Sequence, residues 1–396
     1  MSRIFVTGMG VISAVGNSVA ENHKSLVEGL CGIRNEFDLF PTKYAELLPF
    51  GQVRISTADL LKKLHVTDPG VTRTSLLALH ALNEMLQDAG LSPAALSSSE
   101  TALAGASTVG GMCLTDELYA DANKKTDGSP YTSSYDCASV NMYLQKHYKM
   151  NGIINTINTA CSSSANSIMY GAMLMKNGFA KRAIVGGVDS LAKYTINGFN
   201  ALHILSSEKC TPFDEDRKGL NLGEGAAFLL LEKEEDIAGK KVYAELTGFC
   251  NANDAYHPSS LSDEGDGPFL SMQGALKQAG LSAGQVSFIN AHGTGTENND
   301  EVESKAMLRL FEKVPAFAST KAYTGHTLGA AGAVEAVYSI LSLIHQEVYP
   351  TLRFKKAIPS TGLVPVGSYK KMPVQHVMSN SFGFGGNCSS LIFSKV

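Results

Sequence analysis

Three short segments carry residue types that can do covalent chemistry. Cys161 lies in Asn158-Thr159-Ala160-Cys161-Ser162-Ser163-Ser164, between a strand pattern and a helix pattern. A sharp strand-to-helix turn would expose one side chain at a helix N-terminus. The unpaired N–H groups there favour an anion, so they would lower a cysteine pKa and donate to a developing oxyanion. The other reading is a buried, inert cysteine, and position alone does not separate the two. Two histidine segments shift the balance. They are Asn290-Ala291-His292-Gly293-Thr294-Gly295-Thr296 and Lys321-Ala322-Tyr323-Thr324-Gly325-His326. Glycines beside a histidine let backbone or a thin ligand approach closely. A lone histidine is more often structural, but two in Gly/Thr loops plus one candidate nucleophile weaken that reading.

The elements that must position these groups alternate between strand and helix. Strand patterns fall at 3–7, 101–106, 152–158, 183–188 and 226–232, then again at 242–250, 286–291, 376–381 and 389–394. Helix patterns fall at 73–89, 162–177, 269–279, 301–311 and 330–344. The strand at 3–7 is expected to end in a tight turn at Thr7, Gly8 and Gly10. The pattern restarts after the charged stretch Glu232–Lys241, which reads as a solvated connection. An α/β chain of two similar, tightly packed halves is expected, residues 1–237 and 238–396, each with strand-helix units.

Composition narrows the partners. The 396 residues are 44% apolar and only 18% charged, with a formal net charge of -4. Low charge argues against disorder and suggests that a subunit partner covers some surface. Without a basic stripe, nucleic acid is not an expected partner. The seven cysteines, Cys31, Cys113, Cys137, Cys161, Cys210, Cys250 and Cys388, are odd in number and lack a Cys-x-x-Cys pair. They imply neither a disulfide framework nor a zinc site, so no metal is expected and a reducing cytoplasm is. Arg3 before Ile4-Phe5-Val6 hints at a signal peptide, but the glycines interrupt the run at once. No continuous membrane-length apolar window is found, so no membrane partner is expected.

With these residues in view, the chain resembles the β-ketoacyl-acyl-carrier-protein synthases, the elongating condensing enzymes of the thiolase superfamily. The likeness runs from Val6-Thr7-Gly8-Met9-Gly10 to Asn380-Ser381-Phe382-Gly383-Phe384-Gly385-Gly386 and covers essentially the whole chain. Thr159-Ala160-Cys161-Ser162-Ser163, His292-Gly293-Thr294-Gly295-Thr296 and Thr324-Gly325-His326 stand in the family's order. A Cys-His-His set is similar to elongating rather than initiating synthases, which use cysteine, histidine and asparagine. The resemblance implies a thiolase fold: two pseudo-symmetric halves, each with a mixed sheet, in α-β-α-β-α layers.

The resemblance also implies roles. Cys161 would carry the acyl group, and neutral His292 and His326 would donate to the enolate formed when malonyl carrier protein loses carbon dioxide. The backbone N–H groups of Cys161 and Phe384 would hold the oxyanion, with Phe384 as a gate. Lys321 and Glu335 would give electrostatic support. Thr294 and Thr296 would bind phosphopantetheine, which the carrier protein brings; no bound cofactor is implied. Asp300 would orient the first histidine loop. Val109, in Thr108-Val109-Gly110-Gly111, would limit chain length, and His257 would line the substrate channel. Acyl carrier protein is the implied partner, with Lys62, Lys63, Lys124, Lys125, Lys355 and Lys356 as docking candidates. A homodimer is implied, with a ketosynthase-like heterodimer partner as the alternative.

Some positions depart from the usual pattern. Gly385-Gly386-Asn387-Cys388 replaces Gly-Gly-Thr-Asn, Gly219-Leu220-Asn221-Leu222-Gly223-Glu224-Gly225 replaces Gly-Phe-Val-Leu-Gly-Asp-Gly, and Lys321-Ala322-Tyr323 replaces Lys-Ser-Met. Cys388 reads as a small packing residue. These differences lean toward an aryl-polyene or flexirubin-type pathway. The competing readings are a thiolase-like acyl-CoA acyltransferase, a noncatalytic chain-length partner subunit, and, more distantly, a Cys-His hydrolase.

Overall fold

The computed structural model describes residues 2–110 and 112–396; the Gly111 end of the Val109 motif therefore lies outside the described residues. Among the described residues, twelve strands follow one another as β1 Ile4–Ser13, β2 Thr101–Ala106, β3 Ile154–Ile157, β4 Arg182–Asp189, β5 Gly225–Lys233, β6 Ala244–Asn253, β7 Phe288–Asn290, β8 Ala316–Ala318, β9 Glu347–Val348, β10 Lys370–Lys371, β11 His376–Phe382 and β12 Asn387–Ser394. β9 and β10 form a separate ribbon. The other ten make one sheet in the order β3-β2-β4-β5-β1-β6-β12-β11-β7-β8.

That order repeats about the β1–β6 junction. In each half the third strand lies parallel to the second, the second parallel to the fourth, and the fifth runs antiparallel between the fourth and the first. The family resemblance implied a mixed sheet in each half. The structure joins them, because Phe5 pairs with Glu245 and Val6 with Ala244.

Five helices build the layers: α1 Arg73–Ala89, α2 Ser163–Lys176, α3 Asp266–Ala279, α4 Glu297–Leu310 and α5 Ala331–His345. α1 covers β1 and β5 on one outer face, and α3, backed by α4, covers β6 and β12 on the other. Between the two halves of the sheet, α2 rests on β4 and β2, and α5 on β11 and β5, in contact with each other. The stretch Leu328–His345 is long and apolar enough to cross a membrane, yet 89% of it is buried as this central helix. Its apolar character is that of a helix covered on all sides.

β1 does not stop at its glycines. It runs on to Ser13, because glycine there serves packing and not a turn. A Cβ on Gly10 would lie 2.0 Å from the Ala81 oxygen, and one on Gly8 would lie 2.6 Å from Ala89 Cβ. α1 thus lies directly against bare backbone. Its own start and stop match the sequence reading. The Thr72 side chain accepts from the Ser75 N–H, and Gly90 closes the helix at φ 59°.

Candidate active site

Cys161 leaves β3 through a strained turn. Ala160, immediately before it, has φ 53°, a conformation that costs an ordinary residue about 1 kcal/mol. Neighbouring side chains hold the turn. Ser163 Oγ accepts the Thr159 N–H at 2.9 Å, and Ser162 Oγ lies 2.8 Å from both the Thr159 oxygen and Asn387 Oδ1. α2 then begins at Ser163, so Cys161 sits just before a helix N-terminus, as expected.

The expected fall in its pKa is reversed. Cys161 is only 6% exposed. Burial pushes the thiol up to about 11, against the opposing pull of the Lys321 charge and the Phe384 N–H. Desolvation penalises the thiolate more than helix-end amides and one cation can offset. At neutral pH the Cys161 side chain is therefore a thiol.

His292 follows β7, and two backbone groups of its loop are clamped by a residue the sequence did not single out. Glu303 on α4 accepts the His292 N–H with Oε1 and the Gly293 N–H with Oε2, both at 2.9 Å. Asn380 donates to the same carboxylate at 3.1 Å. Burial pushes Glu303 up to about 7. His326 is held along its backbone: its N–H donates to the Asn221 oxygen at 2.7 Å, and its oxygen accepts the Gly223 N–H at 2.9 Å.

The two imidazoles stand edge to face, with centroids 5.4 Å apart. Burial drives both pKa values well below the ordinary histidine range, and the Lys321 charge lowers them further. Both rings are therefore neutral. His326 Nδ1 accepts the Leu328 N–H at 3.3 Å, and His292 Nδ1 faces the Lys321 ammonium at 3.2 Å. With Nδ1 accepting in each ring, the proton sits on Nε2. Ligand atoms of Cys161, His292 and His326 lie within 4.8 Å of one another.

Lys321, Glu335 and His292 form one buried set. The ammonium donates to Glu335 Oε1 and to the His292 oxygen, the latter at 2.7 Å. Burial raises Glu335 to about 7 while Lys321 pulls it down. This set bears on metal binding. A metal-ligating histidine commonly donates its second N–H to a carboxylate or carbonyl. Here both Nδ1 atoms accept instead, and a fixed cation stands beside one of them. The arrangement suits hydrogen-bond donation from Nε2, not ligation of a second cation.

The site opens into a cavity of about 420 Å³ lined by Cys161, both histidines, Thr294, Thr296 and Phe384 among others. The two threonine hydroxyls are 2.9 Å apart. Phe384 stacks on Phe199 at 5.8 Å between centroids, with 19° between the planes. It is followed by Gly385 at φ 81° and Gly386 at φ 80°.

Besides Lys321 and Glu335, three of the residues expected to bind substrate lie off the cavity wall. Asp300 is buried behind it, accepting N–H groups of Phe213 at 2.7 Å and Gly295 at 3.1 Å, so it touches the loop and not the cavity. Val109 is buried in an apolar cluster with Leu191, Leu220 and Leu328, and its N–H donates to Asp189 at 2.9 Å. His257 is exposed on a loop, where Nδ1 accepts the Ser259 N–H at 3.2 Å. Cys388 is buried with Leu261, Val302 and Phe382.

Besides Glu303, sequence reading missed Asp189 at the end of β4. Its carboxylate accepts Ser107 Oγ at 2.8 Å and the N–H groups of Thr108, Val109 and Gly329 at 2.9, 2.9 and 2.7 Å. It ties the Val109 loop to Gly329, three residues past His326 and two before α5. Neither acid carries a local signal, since Glu303 reaches back ten and eleven residues and Asp189 acts on loops some 80 and 140 residues away.

This geometry is that of a thiolase-fold condensing enzyme, and comparison with known proteins agrees. Residues 1–237 match the family description "Beta-ketoacyl synthase, N-terminal domain", and residues 243–355 match "Beta-ketoacyl synthase, C-terminal domain". The chain is 33% identical to 3-oxoacyl-(acyl-carrier-protein) synthase 2 of Vibrio cholerae over 418 residues, covering 100% of this chain and 99% of that one. A β-ketoacyl synthase from Burkholderia phymatum superposes with TM-score 0.90 at 28% identity, covering 100% of each chain. The ishigamide ketosynthase/chain length factor superposes with TM-score 0.93 at 28% identity, covering 100% of this chain and 99% of that one. The chain belongs to the β-ketoacyl synthase family, and it is an acyltransferase that forms carbon–carbon bonds by Claisen condensation.

Proposed function

We propose that Cys161 holds the acyl group and that His292 and His326 direct the decarboxylative step with malonyl-acyl-carrier-protein. The observation that carries this is the convergence of one thiol and two neutral imidazoles within 4.8 Å. In the first half-reaction Cys161 sulfur bonds to the acyl carbon, the carrier thioester bond breaks, and the thiol proton ends on the departing carrier sulfur. In the second, the malonyl carboxylate leaves as carbon dioxide and negative charge collects on the thioester oxygen. The two Nε2–H groups donate to that oxygen. The enolate carbon attacks the acyl carbonyl, whose oxyanion is held by the N–H groups of Cys161 and Phe384. The Cys161 thiolate departs and regains a proton, giving 3-oxoacyl-acyl-carrier-protein. Lys321 and Glu335 support the histidines electrostatically, and Thr294 and Thr296 hold the phosphopantetheine amides.

The chain divides into halves at residues 1–237 and 238–396, a division the repeated strand order supports. A partner subunit, a second copy or a ketosynthase-like chain, covers the face carrying the helix Thr115–Lys124. That helix buries none of its described residues, its Tyr119 is exposed, and Tyr135 and Met142 are exposed in the stretch of chain that follows. Seven free cysteines suit a cytoplasmic setting. A flat, conjugated acyl chain suits the Phe199–Phe384 stack on the cavity wall.

Mass spectrometry after incubation with acyl carrier protein tests the chemistry: the native chain should gain one acyl group, and Cys161→Ala none. Acylation of the variant would overturn the assignment. Acyl transfer from saturated and polyenoyl carrier thioesters tests the chain type, and equal use of saturated chains would remove the conjugated-chain reading.

A further inference from the structure

Two backbone turns meet at Cys161, and they come from opposite halves of the sheet. The turn at 159–162 follows β3, and the turn at 383–386 joins β11 to β12. Among the described residues no strand ladder links them: β3 is an edge strand, and β11 and β12 lie beyond the β1–β6 junction. The turns touch all the same. A Cβ on Gly383 would lie 2.6 Å from the Thr159 oxygen and 3.2 Å from the Cys161 nitrogen. The N–H groups of Phe384 and Cys161, one from each turn, both act on the Cys161 thiol. Two donors serve one oxyanion only while their spacing is held, and a shift of about 1 Å can cost a hundred-fold in rate.

Asn387 is bonded to both turns. Its backbone oxygen accepts the Gly383 N–H at 2.8 Å and closes the Phe384 turn. Its Oδ1 accepts from Asn166 Nδ2 and Asn251 Nδ2, each at 2.7 Å, and lies 2.8 Å from Ser162 Oγ. Two of these partners hold the Cys161 turn. Asn166 donates to Thr159 Oγ1 at 2.8 Å, and Ser162 is the residue next to Cys161. The third, Asn251 on β6, also donates to Ser389 Oγ on β12 at 2.9 Å. Two amide donors on the two lone pairs of Oδ1 fix the direction of the carboxamide. Asn387 does not line the cavity, so it reaches the chemistry only through the turns.

We propose that Asn387 is a positioning residue that sets the spacing of the two oxyanion donors. It then governs the steps in which an acyl carbonyl is attacked, and not the step in which carbon dioxide leaves. This rests on the function proposed above. The separation follows from how the groups are held. The enolate oxygen is met by His292 and His326, whose backbones are fixed by Glu303, Asn221 and Gly223 instead.

Asn387→Val and Asn387→Thr have nearly the same shape and differ in one acceptor oxygen. In single-turnover assays Asn387→Val should acylate Cys161 about ten- to a hundred-fold more slowly than the native chain. Once acylated, it should release carbon dioxide from malonyl carrier protein at the native rate but join less of the enolate to the acyl group. The stranded enolate carbon takes a proton from water, so acetyl carrier protein should accumulate in place of 3-oxoacyl carrier protein. Alkylation by iodoacetamide, which forms no oxyanion, should stay within about two-fold of native. Asn387→Thr should recover most of the native coupling. Equal behaviour of the two variants would overturn the proposal, and so would a proportionate fall in acylation, decarboxylation and alkylation. A native chain that no carrier thioester acylates at Cys161 would instead defeat the underlying reaction, so the two failures are distinguishable.

Discussion

The Lys321 ammonium grips His292 twice, lying 2.7 Å from its backbone oxygen and 3.2 Å from Nδ1. Its third donor goes to Glu335. All three ammonium hydrogens are thus committed, and the His292 tautomer is fixed by a charge that cannot turn away.

Removing Lys321 should therefore cost both fold and chemistry. Lys321→Ala strands a buried carboxylate, and breaking such a pair destabilises by about 3–5 kcal/mol. The paired variant Lys321→Met/Glu335→Leu should recover most of the stability in a denaturant titration. It should still decarboxylate malonyl carrier protein about a hundred-fold more slowly than the native chain, because His292 loses its orienting donor. Full recovery of decarboxylation would remove the assigned role.

Cys161 chemistry should follow the thiol, not a pre-formed thiolate. With the pKa raised to about 11, the alkylation rate by iodoacetamide should climb about ten-fold per pH unit from 7 to 10. A plateau reached near neutral pH would contradict the dominance of burial. The His292 and His326 pKa values lie well below 6.5, so decarboxylation by the acylated enzyme should stay flat from pH 7 upward until other groups titrate.

Glu303 makes a stability prediction with a definite sign. Its folded pKa of about 7 exceeds the ordinary 4.5. Between those values the unfolded chain releases a proton that the folded chain keeps, so this group weakens the fold as pH rises through the window. Glu303→Gln should lower the Tm, since an amide cannot accept both the His292 and Gly293 N–H groups, at about 1–3 kcal/mol. It should also flatten the Tm–pH curve between pH 5 and 7. An unchanged slope would show that the carboxylate does not titrate there.

Asp189 should couple the acyl and histidine sides of the site. Asp189→Asn would turn an amide N–H toward backbone donors of Thr108, Val109 or Gly329. Single-turnover assays should show slower decarboxylation and an altered acyl-chain preference together, and Asp189→Glu should restore less than half of either. Loss of only one property would show that the two loops are held separately.

What the sequence made legible was local. The turn bearing Cys161 and the loops bearing His292 and His326 advertise themselves through small residues beside a reactive one. α1 was readable over 73–89 because its apolar spacing is encoded within it and Gly90 stops it locally. Glu303 was not, because its value lies in two N–H groups eleven and ten residues away that only the turn after β7 brings to it. The direction of the Cys161 pKa was missed for a related reason. The helix-end effect is local, but Cys161 is buried in a fold that brings His292 and His326, remote in sequence, within 4.8 Å of it. Gly8 and Gly10 were misread as a turn because their purpose, the approach of α1, is invisible along the strand.

The joining of β1 to β6 has a consequence for how the protein is made. The earliest strand in the chain ends at the middle of the sheet, with Ile4 opposite Lys233 on one side and Phe5 opposite Glu245 on the other. Neither neighbour exists until well over half the chain has been synthesised. Contacts so distant in sequence slow folding and leave an apolar strand waiting unpaired. The nascent chain should therefore depend on chaperones until β6 emerges.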